Sequence, residues 1–64
     1  MNIFTIDTFN YTHCYFSNEQ GYTARLNKNT QILDVFSPEE KCLGTYRGVR
    51  NVEHALEMLN DEIR

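Results

Sequence analysis

The sequence predicts an α+β fold: a small antiparallel β-sheet of three to five strands, followed by one C-terminal amphipathic helix packed on one face of the sheet. Within residues 2–47, short apolar segments alternate with polar residues and are separated by turn-forming residues, as in β-strands. Beyond Arg50 the apolar residues recur at the spacing of a helix. Because 64 residues can build only one hydrophobic core, we expect a single domain, 1–64.

The predicted strands are rich in aromatic and β-branched residues, which favour extended backbone. They cover residues 3–9, 11–17, 22–26, 31–36 and 42–47. The polar segments 18–21 and 27–30 supply the asparagines and the glycine that turns prefer. The segment 37–40 fits a turn with Pro38 at its second position, or one turn of helix capped by Ser37. We favour the turn, because no apolar period supports a helix there.

The C-terminal helix is predicted over about residues 51–63. Its apolar residues recur at helical spacing, which places them on one stripe: Val52, Ala55, Leu56, Leu59 and Ile63. Asn51 can cap the first turn through its side-chain oxygen, and Glu53 complements the positive end of the helix dipole. A helix this short is marginal alone, so its stripe must lie against the sheet or against another chain.

Alternation along the strands divides the sheet residues between two faces. We expect one face to form the core with the helix, through Phe4, Ile6, Cys14, Phe16, Ala24, Leu26, Leu33 and Val35. The opposite face would carry Tyr11, His13, Tyr15, Arg25 and Phe36, an aromatic surface that one helix cannot also cover. A shift of one residue in the register would exchange the two faces.

The chain has a net charge of −3, and all of this excess lies in residues 51–64. Three of the acids there, Glu53, Glu57 and Asp61, recur every four residues and would form a row along one side of the helix. Such a row is either an ordinary solvated face or a surface that recognises a basic patch on another protein. Its negative charge disfavours nucleic acid at this surface.

No group of residues has the spacing of a catalytic, cofactor or metal site. Cys14, Cys42, His13 and His54 lack the pattern of a zinc motif, and we expect both thiols to be reduced. The three glycines are too widely separated to form a phosphate-binding loop. We therefore predict a protein that is not an enzyme and holds no cofactor.

The first residues of the sequence do not resemble a targeting segment, because they lack a basic stretch and their apolar residues are interrupted by polar ones. The apolar runs are also far shorter than the roughly 20 residues that cross a bilayer. We therefore expect a cytoplasmic protein without a membrane partner.

Two predicted surfaces could bind a partner protein. One is the sheet face with Tyr11, Tyr15, Arg25 and Arg47, and the other is the acidic row of the helix. A partner, or a second copy in a homodimer, would add burial to a core with little stability to spare. The first functional prediction is a small, non-catalytic interaction module, such as a regulatory protein or a phage-type inhibitor.

The segment 22–59 resembles the three strands and helix of AP2-like and integrase arm-binding domains. The resemblance rests on the run Cys42-Leu43-Gly44-Thr45-Tyr46, followed by Val52-Glu53-His54-Ala55-Leu56. It implies DNA binding through a basic sheet that often contains tryptophan, whereas this chain has no tryptophan. The alternative function is therefore nucleic-acid binding, in which the tyrosines of the sheet face stack on bases and its arginines neutralise phosphates.

Overall fold

The computed structural model describes residues 3–62. Five strands come first, at Thr5–Phe9 (β1), His13–Ser17 (β2), Thr23–Asn27 (β3), Ile32–Phe36 (β4) and Cys42–Tyr46 (β5). An α-helix follows at Val52–Glu57 (α1), and the chain continues as a π-helical segment at Met58–Glu62. The predicted α+β class is confirmed, and the number of strands lies at the upper end of the predicted range.

The strands form one antiparallel sheet in which neighbours in sequence are also neighbours in space. The order β1-β2-β3-β4-β5 leaves β1 and β5 at the two edges. Directly opposed residues point to the same side of a sheet, so the register defines two faces. Phe16 opposes Ala24 on what we call the core face, and Tyr15 opposes Arg25 on the outer face.

One cluster of buried apolar side chains forms the core. It contains Phe4, Cys14, Phe16, Ala24, Leu26, Leu33, Val35, Val49, Ala55 and Leu59. All of the predicted strand core residues except Ile6 therefore belong to it. Val49 was not predicted, because it follows the last strand; its backbone N–H donates to the carbonyl of Gln31 at 3.0 Å.

Two predictions for the first hairpin are wrong. Ile6, predicted in the core, keeps 44% of its surface exposed because it lies on the edge strand β1, where all the residues are exposed. Tyr11, predicted on the outward face of the second strand, lies in the turn before β2 and is 99% exposed. The turn includes Tyr11 because the side chain of Asn10 accepts backbone N–H groups on the far side of it.

The segment between β4 and β5 is a turn rather than a helix. The backbone N–H of Glu40 donates to the carbonyl of Ser37 at 2.8 Å, and that of Ser37 donates to the carbonyl of Lys41 at 2.9 Å. Glu40 has a φ of 67°, a left-handed conformation that glycine adopts more readily than any other residue. This turn is therefore closed by hydrogen bonds that require an unfavourable backbone at Glu40.

The helix begins where the sequence predicts, because Asn51 caps it. Its Oδ1 accepts the backbone N–H of His54 at 2.8 Å. Ala55 and Leu59, from the predicted stripe, are buried, whereas Ile63 lies outside the described residues. In the π-helical segment, the Oδ1 of Asn60 accepts the backbone N–H of Phe4 at 2.8 Å. This bond ties the C-terminal segment to the residue before β1.

Candidate functional site

The exposed apolar surface is concentrated at β1 and the turn that follows it. The large apolar side chains found exposed in residues 3–62 are Ile3, Ile6, Phe9, Tyr11 and Leu43. Three of them, Ile6, Phe9 and Tyr11, lie in β1 and the turn after it, and we call these three side chains the β1 surface. Concentrated exposed apolar side chains are typical of interaction sites, whereas single ones need no explanation.

The pairing of β1 with β2 places two of these side chains on one face of the sheet. Ile6 opposes Phe16 and Phe9 opposes Cys14, and both partners on β2 are buried. Ile6 and Phe9 stay on the same face although they are three residues apart, because the register shifts between them and Asp7 is the extra residue of a β-bulge. The core face therefore extends to the edge of the sheet as exposed apolar surface.

The outer edge of β1 presents strand backbone that the rest of the sheet does not use. β2 lies on one side of β1, and no strand within residues 3–62 pairs with its other side. The N–H and C=O groups of such an edge can pair with a further strand. Asp7 is exposed on this strand, so the edge carries one carboxylate between its two apolar side chains.

The turn that follows β1 is held by several hydrogen bonds. The Oδ1 of Asn10 accepts the backbone N–H groups of Thr12 and His13, each at 2.9 Å, and the hydroxyl of Thr12 at 3.0 Å. The ammonium of Lys28 donates to the carbonyl of Asn10 at 2.8 Å and lies 5.5 Å from the ring centre of Phe9. The exposed ring of Tyr11 thus belongs to a turn that several hydrogen bonds stabilise.

The middle of the outer face holds a shallow depression of about 440 Å³, partly lined by Asp7, Tyr15, Arg25 and Phe36. The guanidinium of Arg25 lies 3.5 Å from the carboxylate of Asp34 and 5.6 Å from the ring centre of Phe36. The depression therefore combines two aromatic rings with charges of both signs, and the arginine charge is partly balanced by an aspartate.

The structure brings together two of the four residues predicted to bind a partner at the sheet face. Tyr15 and Arg25 are directly opposed across β2 and β3, and the ring of Tyr15 stacks on that of His13 at 6.1 Å between centroids. Arg47 is exposed just beyond the end of β5, and Tyr11 lies off the sheet in its turn. The outer face is consequently less aromatic than the sequence predicts.

The predicted acidic row consists of exposed residues that lie on two successive helical segments. Glu53 and Glu57 lie one α-helical turn apart in α1, and Asp61 lies in the π-helical segment. In either helix type a spacing of four residues comes close to one full turn, so Asp61 stays near the side of the helix that carries Glu53 and Glu57.

The two thiols lie in different environments and form no disulfide with each other. Cys14 is buried in the core, whereas Cys42 is exposed on the edge strand β5. Burial raises the pKa of the Cys14 thiol, and the positive charge of Lys28 opposes part of that effect. In the part of the chain that the structure describes, His, Cys, Asp and Glu side chains form no group of three suited to a metal ion.

Sequence reasoning missed the edge of β1 as a candidate site. Local patterns identify a strand, but its place in the sheet depends on the order in which all the strands pair. The sequence also does not reveal the bulge: Ile6 and Phe9 are separated by an odd number of positions, so an unbroken strand would place them on opposite faces. Only a bulge between them can return both side chains to one face.

Comparison with protein-family models, with curated proteins and with solved structures gave no match to this chain. Among residues 3–62 there is also no helix with the length and apolar character needed to cross a membrane.

Proposed function

We propose that this chain is a small, non-catalytic interaction module that binds another protein through the β1 surface. The observation that carries the proposal is the concentration of exposed apolar side chains there, with 71% exposure at Phe9 and 99% at Tyr11. Aromatic side chains are enriched among the residues that dominate binding energy at interfaces. A partner that covers them also adds burial to a domain whose own core is small.

Two other surfaces belong to the proposal as secondary contacts. We infer that the apolar stripe of the helix covers the core face, which leaves Tyr15, Arg25 and Arg47 available on the outer side of the sheet. The acids Glu53, Glu57 and Asp61 would meet a basic patch on a partner. A narrower proposal is that the chain is a regulatory protein, such as a phage-type inhibitor. A module without catalytic activity regulates its partner by occupying the partner's surface.

The proposal is tested by affinity capture with the immobilised chain from a lysate of its own cells, followed by mass spectrometry. We expect the wild type to retain at least one protein specifically. The double variant Phe9→Ser/Tyr11→Ser should retain that protein in an amount lower by about tenfold or more. Both side chains are exposed, so the variant should keep the fold, and circular dichroism checks that it does.

Leu43→Ser is the matched control for this experiment. Leu43 is also a large exposed apolar residue, with 57% of its surface accessible, but it lies on the opposite edge strand. A partner retained equally by the wild type, the control and the double variant would contradict binding through the β1 surface. Recovery of no specific protein would contradict the protein-binding function itself.

A second candidate function, nucleic-acid binding, has one observation in its favour. The stacked rings of His13 and Tyr15 lie beside Arg25, and aromatic rings next to an arginine can stack on bases of a single strand. The candidate predicts a gel shift at low salt that Arg25→Ala or Arg47→Ala weakens. It ranks second because Asp34 partly neutralises Arg25 and because the net charge is −3.

A further inference from the structure

We propose that the outer edge of β1 binds an extended segment of another protein, which pairs with β1 as an additional strand and has the local pattern apolar, basic, apolar. The two apolar residues contact Ile6 and Phe9, and the basic residue faces Asp7. This inference rests on the proposed protein-binding function, for which it names the mode of binding and the chemistry of the partner.

Strand addition suits this edge because both its backbone groups and its side chains are accessible to a further strand. The residues of β1 are all exposed, and no strand in the described range occupies its outer side. When a peptide adds to a sheet edge, main-chain hydrogen bonds supply affinity and alternate side chains supply specificity. At β1 the side chains available for that specificity are Ile6, Asp7 and Phe9.

The spacing of the partner's residues follows from the way β2 already pairs with β1. On β2, Phe16 and Cys14 oppose Ile6 and Phe9, and one residue lies between them. A strand that pairs with the outer side of β1 meets the same bulge. It therefore needs two apolar residues with one residue between them, so that they oppose Ile6 and Phe9. The residue between them points to the outer face, where Asp7 lines the depression.

Charge decides between a foreign segment and a second copy of this chain. Opposite charges that face each other across paired strands stabilise the pair, and like charges destabilise it. Two copies paired symmetrically about the bulge would bring their Asp7 carboxylates together, so pairing between the β1 edges of two copies is disfavoured. A lysine or arginine at that position is favoured instead, and the net charge of −3 attracts a cationic segment from a distance.

The test uses two short acetylated peptides that differ at their central residue, Thr-Thr-Val-Lys-Val-Thr-Thr and the same peptide with glutamate in place of lysine. Each is titrated into the isotopically labelled full chain while backbone amide NMR shifts are recorded. We expect saturable shifts concentrated in the amides of β1, with the lysine peptide binding about tenfold more tightly than the glutamate peptide.

Two charge-reversal variants separate a local effect of Asp7 from an effect of net charge. Asp7→Lys should reverse the preference, so that the glutamate peptide binds more tightly. Glu39→Lys makes the same change in net charge in the turn between β4 and β5, with β2 and β3 lying between this part of the sheet and β1, and should leave the preference for the lysine peptide in place. Equal responses of the two variants would overturn the assignment to Asp7.

Other results would overturn the proposal in different ways. Shifts concentrated outside β1, or no saturable shifts with either peptide, would exclude strand addition at this edge. Shifts in β1 that depend on protein concentration without peptide, together with a dimer in sedimentation equilibrium, would assign the edge to a second copy. If lysate capture still finds a partner sensitive to Phe9→Ser/Tyr11→Ser, the protein-binding function stands and only strand addition fails.

Discussion

Two residues other than glycine have a left-handed backbone in the described structure: Gln31, with a φ of 61°, and Glu40, with a φ of 67°. Each lies in the turn that precedes a strand, β4 for Gln31 and β5 for Glu40. For a residue with a Cβ this conformation costs about 1–2 kcal/mol. The hydrogen bonds that close these turns therefore hold a strained backbone. A substitution that removes the strain at either position should stabilise the protein.

Replacing Glu40 with glycine should stabilise the protein by about 0.5 kcal/mol. The change removes a left-handed strain of about 1–2 kcal/mol, and the greater freedom of glycine in the unfolded chain cancels about 0.4–1 kcal/mol of that gain. Urea unfolding measures the difference. Glu39→Gly is the matched control, because it removes the same charge from the same turn at a residue without a positive φ; it should destabilise, and equal effects would contradict the strain.

The sequence predicts the side-chain environment well at the centre of the sheet and poorly at its edge. Phe16 and Leu26 are fully buried as expected, because central strands have neighbours on both sides. Ile6 has the same apolar character and faces the same side, yet it is exposed. Burial depends on what lies across the sheet and beyond its edge, and no pattern within one strand contains that information.

At the scale of the elements, capping and periodicity locate the start of the helix correctly. Asn51 was predicted as the cap, and its side chain accepts the N–H of His54. The π-helical turn after Glu57 was not predicted, because the apolar positions of the two helix types overlap over so short a segment.

Asn51→Ala should reduce the free energy of unfolding by about 1 kcal/mol, because an N–H at the helix start would lose its side-chain acceptor. Thermal or urea unfolding measures the loss. Asn51→Asp is the conservative control: it keeps an acceptor oxygen and adds a negative charge near the positive end of the helix, so it should retain the stability of the wild type. If both variants lose the same stability, the hydrogen bond to His54 is not what stabilises the helix.

At the scale of the whole molecule, the small core makes each buried side chain important. A chain of this size has few buried residues with which to offset the entropy of ordering, and its net stability is expected to be only about 3–5 kcal/mol. Leu33 lies on β4, which has a strand on either side, and is completely buried. The core has little tolerance for the loss of such a side chain.

Leu33→Ala should therefore cost about 2–5 kcal/mol, through lost burial and the cavity that remains, and leave much of the protein unfolded at room temperature. Circular dichroism combined with urea titration measures this. The identical substitution at Leu43, which is exposed, should change the stability by less than about 1 kcal/mol. Equal losses at the two positions would show that burial does not set the stability of this fold.

The hydrogen bond between Phe4 and Asn60 has a consequence for how the fold assembles. Each sheet pairing joins strands that are adjacent in sequence, so the hairpins can form one after another from local contacts. The bond from Phe4 to Asn60 spans 56 positions and closes the largest loop among these contacts. Because long loops cost the most entropy to close, we expect the start of β1 and the C-terminal segment to come together late in folding, after the hairpins have formed.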